Sequence, residues 1–230
     1  MRVSDVALDP DRGTALRWLE TFERADHLLL SERDRCAYLS EYLAGCRYDG
    51  GYVNQLIRNF KCHPSMARRD DRCGRYKRQA TLTLARWLRR AVAREWVECS
   101  TWVPVPPSRQ RGDPDFDDRL SRTLSLAFAG YDLDLRCLLR QSQSTERDHA
   151  MRDRQSEAAL YRLLRLDSRA LELRAPRERI VVFDDVLTSG KHFKCCERRL
   201  REHLPRVSIV GVFLARRVPE RSSRSLGYPG

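Results

Sequence analysis

Two adjacent carboxylates follow a short apolar run in the stretch IVVFDDVLTSGKHF, residues 180 to 193. Asp184 and Asp185 come directly after four apolar residues, three of them β-branched, a composition typical of a buried strand. In an open α/β sheet, ligands bind beyond the carboxyl ends of the strands. Stability alone gives a buried strand no reason to end on two acids, so these carboxylates are candidates for ligand binding.

The turn that follows the acids is suited to an anion. Thr188 and Ser189 supply hydroxyl donors, and Gly190 allows the backbone to approach a ligand closely. A helical pattern follows over about residues 191 to 203, and the N–H groups at a helix start attract negative charge. Carboxylates repel phosphate, so the acid pair and the anion-binding turn do not bind the same group. A sugar phosphate satisfies both, if the acids bind the sugar hydroxyls and the turn binds the phosphate. The alternative is a turn without a ligand, in which Asp185 caps a local backbone group.

Two other phosphate-binding motifs do not fit the spacing. A P-loop needs a glycine five residues before Gly190, and the chain has Asp185 there. The dinucleotide-binding fingerprint GxGxxG is absent from the sequence. A sugar phosphate therefore remains the interpretation of this stretch.

The segment VVFDDVLTSG resembles the phosphoribosyl pyrophosphate (PRPP) signature of the type I phosphoribosyltransferases. The resemblance implies that Asp184 and Asp185 are catalytic and bind the ribose 2- and 3-hydroxyls. It also implies a 5-phosphate loop formed by Leu187, Thr188, Ser189, Gly190, Lys191 and His192. After the glycine the family often has a small residue and then Thr, where this chain has Lys and His. The lysine can pair with the phosphate or crowd it.

A second segment, WVPVPPSRQRGDPDFDDRLSRTLSLA, resembles the ComF-like (competence-associated) members of the same family. The resemblance implies that the loop after VPVP binds pyrophosphate through Pro107, Ser108 and Arg109. Exposed N–H groups and a guanidinium suit pyrophosphate oxygens. Taken alone, VPVPPSR is equally typical of an edge strand bounded by prolines.

Residues 140 to 157, RQSQSTERDHAMRDRQSE, are polar throughout and predict a mobile loop. The resemblance implies that this is the flexible loop that closes over the reaction and excludes water, with Arg147 and Arg154 as pyrophosphate contacts. A solvated run of charges is the alternative interpretation of these arginines. In all, the resemblance covers about residues 52 to 218.

The family implies an enzyme that binds PRPP with Mg²⁺ and transfers phosphoribose to a nitrogenous base or nucleotide-like acceptor, releasing pyrophosphate. Mg²⁺ is expected to arrive with PRPP, and no residue is assigned as a metal ligand. The alternative is a non-catalytic PRPP- or nucleotide-binding module that acts on single-stranded nucleic acid or a protein partner, in DNA uptake, defence or regulation. In the basic segments, Phe60, Tyr76 and Trp87 either stack bases or pack the cores of amphipathic helices.

The charge balance indicates a negatively charged partner. The 230 residues include 44 basic and 32 acidic side chains, which gives a net charge of +12. Such an excess is typical of proteins that bind a polyanion or a phosphorylated ligand, although an arginine-rich surface needs no partner. The sequence leaves the acceptor base and the oligomeric state open.

No apolar run reaches the roughly 18 residues that span a membrane, so no membrane partner is expected. The segment MRVSDVALDPDRG does not have the pattern of a signal peptide, which favours a cytoplasmic location. The eight cysteines are then interpreted as reduced thiols. An alternative is a zinc site, without the usual CxxC spacing, formed by Cys36, Cys46, Cys62, His63 and Cys73.

The elements that would position these residues alternate along the chain. Apolar runs predict strands at residues 102 to 105, 133 to 139, 171 to 173, 180 to 183 and 207 to 214. Helical patterns between them make this an α/β fold with a parallel sheet flanked by helices. By resemblance, residues 99 to 218 form a type I phosphoribosyltransferase-like core. Residues 1 to 98 are predicted to be mainly helical, including residues 13 to 47, as a hood or extension, and residues 219 to 230 form a tail.

Overall fold

The computed structural model describes residues 15–46, 50–144, 156–172 and 174–219. Arg147 and Arg154 of the predicted flexible loop lie outside the described residues, as does the predicted tail from residue 220 onward. Within the described ranges, no helix combines the length and the apolar character needed to cross a membrane.

The described residues alternate between short strands and helices. The strands are β1 (Arg17–Trp18), β2 (Cys36–Leu43), β3 (Ser100–Pro104), β4 (Asp134–Leu135), β5 (Leu139–Gln141), β6 (Leu164–Leu166), β7 (Arg179–Leu187) and β8 (Ser208–Val218). The helices are α1 (Thr21–Arg24), α2 (Gly51–Phe60), α3 (Pro64–Arg69), α4 (Asp71–Ala91), α5 (Arg94–Glu98), α6 (Arg119–Ala127), α7 (Glu157–Leu163), α8 (Ser168–Glu172) and α9 (Lys191–Arg201).

Within the described ranges, six strands form one sheet in the order β1-β2-β8-β7-β3-β4, and β5 pairs with β6 separately. β2, β8, β7, β3 and β4 run parallel to their neighbours, whereas β1 is antiparallel to β2. The sheet is therefore mixed, and the prediction of a purely parallel sheet is wrong at this edge. The predicted α/β class with flanking helices is confirmed.

The centre of the sheet is apolar on both faces. In β7, Ile180, Val181 and Val182 have no exposed surface, as expected for a parallel strand covered on both sides. The ring of Trp102 in β3 packs 4.9 Å from that of Phe128, which directly follows α6. This packing fixes α6 beside the strands whose carboxyl ends carry the candidate site.

The helical prediction for residues 13 to 47 is wrong over β2. This strand pairs in parallel with β8, with Ala37 opposite Val212, and its first five residues are buried. The segment CAYLSEYL has few β-branched residues and no alternation of polar and apolar residues, because both faces of this inner strand are covered. Pairing in the sheet therefore overrides the local helical pattern, and the sheet extends into the predicted helical region.

Two smaller differences concern local boundaries. The strand predicted at residues 171 to 173 is wrong at residues 171 and 172, which end helix α8 (Ser168–Glu172) after an N-terminal cap by Asp167, and residue 173 lies outside the described residues. The second difference lies in residues 61 to 75, whose charged composition predicts a loop, whereas the structure has α3 and the start of α4 there. Asp70 caps α4 by accepting hydrogen bonds from the N–H groups of Arg72 and Cys73.

Candidate functional site

Asp184 and Asp185 lie near the carboxyl end of β7, as the sequence predicts. The strand continues to Leu187, so both acids still lie in the part of β7 that pairs with β8, whereas its pairing with β3 ends at Phe183. The exposed fraction is 6% for Asp184 and 4% for Asp185. Two buried carboxylates side by side need specific partners, and the two residues have different ones.

Asp185 is held by two cations from distant parts of the chain. Its Oδ1 accepts a hydrogen bond from Lys61 Nζ at 2.8 Å, and its Oδ2 accepts one from Arg119 Nη2 at 2.6 Å. Arg119 also contacts Asp117 at 2.8 Å, and Asp117 contacts Lys77 at 2.8 Å. This ionic chain contains three cations and two carboxylates, so it has one positive charge in excess.

The ionic chain keeps Asp185 charged. Burial alone would raise the pKa of Asp185, but Lys61 and Arg119 outweigh burial and hold the pKa well below its ordinary value. Burial likewise opposes the charge of Arg119, and Asp185 and Asp117 raise its pKa. Asp185 is therefore an oriented carboxylate with a cation at each oxygen.

Asp184 has a different environment. Its Oδ1 accepts a hydrogen bond from the N–H of Asp185 at 2.8 Å, and its Oδ2 lies 3.3 Å from Nδ1 of His192. The His192 side chain is 54% exposed, so this carboxylate oxygen faces a partner that solvent reaches. Of the two acids, Asp184 is the one whose second oxygen can exchange its partner for a ligand hydroxyl.

The predicted 5-phosphate loop leads directly from β7 into α9. Thr188 is exposed, Ser189 is partly exposed, and Gly190 is the N-cap residue of α9 with a φ of +85°. Lys191 and His192 form the first turn of that helix. The strand, the left-handed glycine and the helix start thus occur in the order that an anion site requires.

Residues 27–30, which follow α1, contact the back of this loop. Nδ1 of His27 donates a hydrogen bond to the carbonyl of Thr188, and the N–H of Leu29 donates to the carbonyl of Ser189 at 3.0 Å. A Cβ added to Gly190 would lie 2.6 Å from a methyl carbon of Leu30. Sequence patterns gave no signal for these contacts, because the partners are about 160 positions apart.

The predicted pyrophosphate loop lies at the same edge of the sheet. β3 and β7 are parallel neighbours with Pro104 opposite Phe183, so the loop after β3 leaves the sheet beside the two acids. Pro107, Ser108 and Arg109 are partly exposed there. The structure therefore brings the loop after β3 and the acid pair to adjacent strand ends.

The loop after β3 is joined to the chain that leaves β5. The Gln110 N–H donates to Ser144 Oγ at 3.1 Å, and Ser144 Oγ donates to Asp113 at 2.9 Å. Ser144 lies in the predicted flexible loop, and it is the last residue described before residues 145–155. The entry to that loop is thus fixed beside the loop after β3.

A cleft of about 1200 Å³ opens beside the loop after β3. It is bounded by that loop, the start of α6, the β4–β5 segment and α8. Its charged lining residues are Arg109, Arg111, Arg136, Arg140, Arg174, Asp117, Asp118, Asp134 and Asp167. Asp184 and Asp185 do not line it, so the cleft lies on the pyrophosphate side of the predicted site.

Two cations of the site were not predicted from the residues themselves. Lys61 lies in a basic segment and Arg119 in an ordinary helical segment, and neither sequence pattern marks the residue as part of a site. The buried acid pair itself implies that basic residues lie beside it. The sequence does not show, however, which of the 44 basic residues these are.

The aromatic residues of the basic segments are mostly core residues. Phe60 is fully buried and Trp87 is 6% exposed, whereas Tyr76 is 46% exposed with Arg72 over its ring. The interpretation that Phe60 and Trp87 stack on bases is therefore wrong. These two side chains belong to the hydrophobic core, to which α2 and α4 contribute them.

No group of three or more His, Cys, Asp or Glu side chains among the described residues is placed to hold a metal ion. The zinc alternative is therefore wrong, and Cys36 is buried within β2. A Mg²⁺ site needs fewer protein ligands than a zinc site. Its coordination commonly consists of one or two carboxylates together with substrate oxygens and water. Asp184, with one oxygen facing an exposed partner, fits that requirement.

In comparisons with known proteins, no protein-family model matches the chain and no curated protein matches it. Its function is therefore argued from the site itself.

Proposed function

We propose that the chain binds PRPP with Mg²⁺ at the carboxyl edge of the sheet and transfers the phosphoribosyl group to a nitrogenous acceptor. One observation supports this most strongly: the two acids, the left-handed Gly190 at the start of α9, and the loop after β3 occupy adjacent strand ends. Such a layout matches the ribose, the 5-phosphate and the pyrophosphate of one ligand.

In this proposal, Asp184 binds the ribose hydroxyls through the oxygen that faces His192. The hydroxyls of Thr188 and Ser189 and the backbone N–H groups at the start of α9 bind the 5-phosphate. Asp185 contributes a fixed negative charge, held in place by Lys61 and Arg119. Mg²⁺ bound with PRPP would contact Asp184 and neutralise part of the pyrophosphate charge.

The pyrophosphate would lie against the loop after β3, through Pro107, Ser108 and Arg109. During transfer, an acceptor nitrogen forms a bond to C1 of the ribose, and the bond from C1 to the pyrophosphate oxygen breaks. The electron pair of that bond leaves with pyrophosphate. The two carboxylates stabilise the positive charge that develops on the ribose.

Calorimetric titration with PRPP, with and without Mg²⁺, tests the binding step. We expect wild-type protein to bind in the presence of Mg²⁺ and Asp184→Asn to lose about two orders of magnitude in affinity, the value of a charged ligand contact. Asp71→Asn, the same change at an exposed position in α4, is the matched control and should bind as wild type. A wild type that does not bind PRPP, or an Asp184→Asn variant with full affinity, would overturn the proposal.

Release of pyrophosphate, measured with a panel of purine, pyrimidine and nicotinate-type acceptors, tests the transfer step. Pyrophosphate release that depends on one acceptor class and is lost in Asp184→Asn is the expected result. Binding of PRPP without release under any acceptor would support the binding-module alternative instead.

A further inference from the structure

Residues 27–30, hereafter the 27–30 segment, bind two successive carbonyl groups of the 5-phosphate loop. His27 Nδ1 donates to the carbonyl of Thr188, and the Leu29 N–H donates to that of Ser189 at 3.0 Å. Leu30 fills the space beside Gly190 that a side chain would occupy. Three consecutive residues of the loop are thus contacted from one side by one short stretch of chain.

These hydrogen bonds determine where the loop directs its donors. In a trans peptide unit the C=O and N–H bonds point in opposite directions, and the described residues contain no cis peptide. The carbonyl of Thr188 shares its peptide unit with the N–H of Ser189, and the carbonyl of Ser189 shares one with the N–H of Gly190. Because the 27–30 segment binds both carbonyls, both N–H groups point away from it. An anion on that opposite side meets two aligned donors.

The 27–30 segment is itself fixed at both ends. Arg24 donates to the carbonyls of Ser31 at 3.0 Å and Asp34 at 2.7 Å. Asp34 in turn pairs with Lys194 of α9 at 2.7 Å, and Asp26 lies 3.3 Å from Arg216 of β8. The segment is therefore tied to the helix and the strand that flank the loop, and it does not depend on the loop alone for its position.

His27 fits this position only in its neutral form. Its side chain has no exposed surface, and its Nε2 atom has no hydrogen-bond partner among the described residues. Protonation would place an unpaired N–H and a charge in a buried site. The charged groups that act on it are Asp26, Glu23 and Arg216, and burial is the strongest influence and lowers the pKa of His27 below 6.5.

We propose that the 27–30 segment positions the 5-phosphate loop for anion binding, and that protonation of His27 releases the loop and weakens binding of the PRPP phosphate. His27 is in this view a positioning residue, since it touches the loop and not the ligand. The proposal rests on the proposed function for the identity of the ligand.

The dissociation constant of PRPP, measured in Mg²⁺ at about pH 8 and about pH 5.5, tests the proposal in wild type and His27→Asn. The asparagine keeps a donor near the Thr188 carbonyl and does not titrate. The 5-phosphate of PRPP also titrates in this range, so the quantity compared is each protein's ratio of the two constants. We expect acidification to weaken wild type at least about threefold more than His27→Asn, as a coupling of modest size. His203→Asn, at an exposed position, should keep the wild-type ratio.

Hydrogen exchange of the Leu29 amide measures whether the 27–30 segment is bound to the loop, and this measurement needs no ligand. The protection factor of this amide, corrected for intrinsic exchange, should fall on acidification in wild type and hold in His27→Asn. Equal ratios of the dissociation constants in the two proteins, or unchanged Leu29 protection in wild type, would overturn the inference. A wild type that binds no PRPP at either pH would overturn the proposed function instead, and the Leu29 amide would still decide whether protonation undocks the segment.

Discussion

The carboxyl ends of β7 and β3 are neighbours in the sheet, yet they are built differently. At β7, Asp185 has a cation at each oxygen and the carbonyls of the following loop are bound by the 27–30 segment. At β3, the loop from Pro106 to Gln110 is partly exposed and borders a cleft of about 1200 Å³. Among the residues that the structure describes, Arg109 pairs only with the distant carboxylate of Asp113, at 3.9 Å.

This difference suggests a division of labour within one site. The β7 end is organised before any ligand arrives, so it suits the ribose and the 5-phosphate, which keep their structure through the reaction. The β3 end is open, which suits a leaving group that has to enter and depart. Changes at the β7 end should therefore affect both stability and binding, whereas changes at the β3 end should affect binding and cost less stability than the matching changes at the β7 end.

The largest effect is expected for Asp185→Asn. This change leaves Lys61 without its carboxylate and leaves Arg119 with Asp117 alone, and removing one partner from a buried ion pair costs about 3–5 kcal/mol in the free energy of unfolding. Asp184→Asn should cost only about 1–2 kcal/mol, because the amide oxygen can still accept the hydrogen bond from the Asp185 N–H and the other contact of Asp184 is a long one to an exposed histidine. Urea unfolding of both variants measures the free energy of unfolding that each one loses. Equal losses in the two variants would contradict the different roles of the two acids.

The same pair of cations predicts how stability depends on pH. The pKa of Asp185 in the folded protein lies below its ordinary value of 3.8. Its contribution to stability is therefore fully present above pH 3.8 and is lost as the pH falls below that value. Wild type should lose stability more steeply than Asp185→Asn when unfolding is measured down to acidic pH, and parallel curves would contradict the ion pairs.

Alanine substitutions at one glycine of each end allow the β7 and β3 ends to be compared at the level of the backbone. Gly190 and Gly112 both have positive φ, at +85° and +95°, but only Gly190 has a neighbour where a Cβ would lie. Alanine at Gly112 should cost about 1 kcal/mol from backbone strain alone. Alanine at Gly190 should cost roughly 2–4 kcal/mol, because it also displaces Leu30.

The double variant Gly190→Ala with Leu30→Ala gives the matching control. Removing the Leu30 side chain relieves the clash but not the strained φ, so the double variant should lose less than the sum of the two single losses. Thermal unfolding of the set measures this coupling, and strictly additive losses would show that Leu30 does not pack on Gly190.

The smallest effect on stability is expected for Arg109→Met. Its only described ion pair is long, and a substitution at such a position usually changes the free energy of unfolding by no more than about 0.5 kcal/mol. The affinity for PRPP should nevertheless fall about tenfold, because a guanidinium contact to pyrophosphate is lost. A large loss of stability together with unchanged affinity would contradict the open character of the β3 end.

Local patterns sufficed for the β7 end of the site. The apolar run, the adjacent acids and the turn ending in Gly190 are contiguous, and each has a strong local preference, so strand, loop and α9 could be predicted. Lys61 and Arg119 could not, because they lie 124 and 66 positions from Asp185 and only the fold brings them together. β2 was not predicted for a related reason. Its partner β8 is far away along the chain, as Thr188 is from His27, so no local pattern shows the pairing.

Binding of ribose 5-phosphate and of pyrophosphate, measured separately by calorimetry in Mg²⁺, tests the division of labour most directly. Asp184→Asn should weaken ribose 5-phosphate binding about a hundredfold, and Arg109→Met should weaken only pyrophosphate binding, about tenfold. Ribose 5-phosphate binding that Asp184→Asn leaves unchanged would show that the acid pair does not hold the sugar, and it would contradict the assignment of the β7 end.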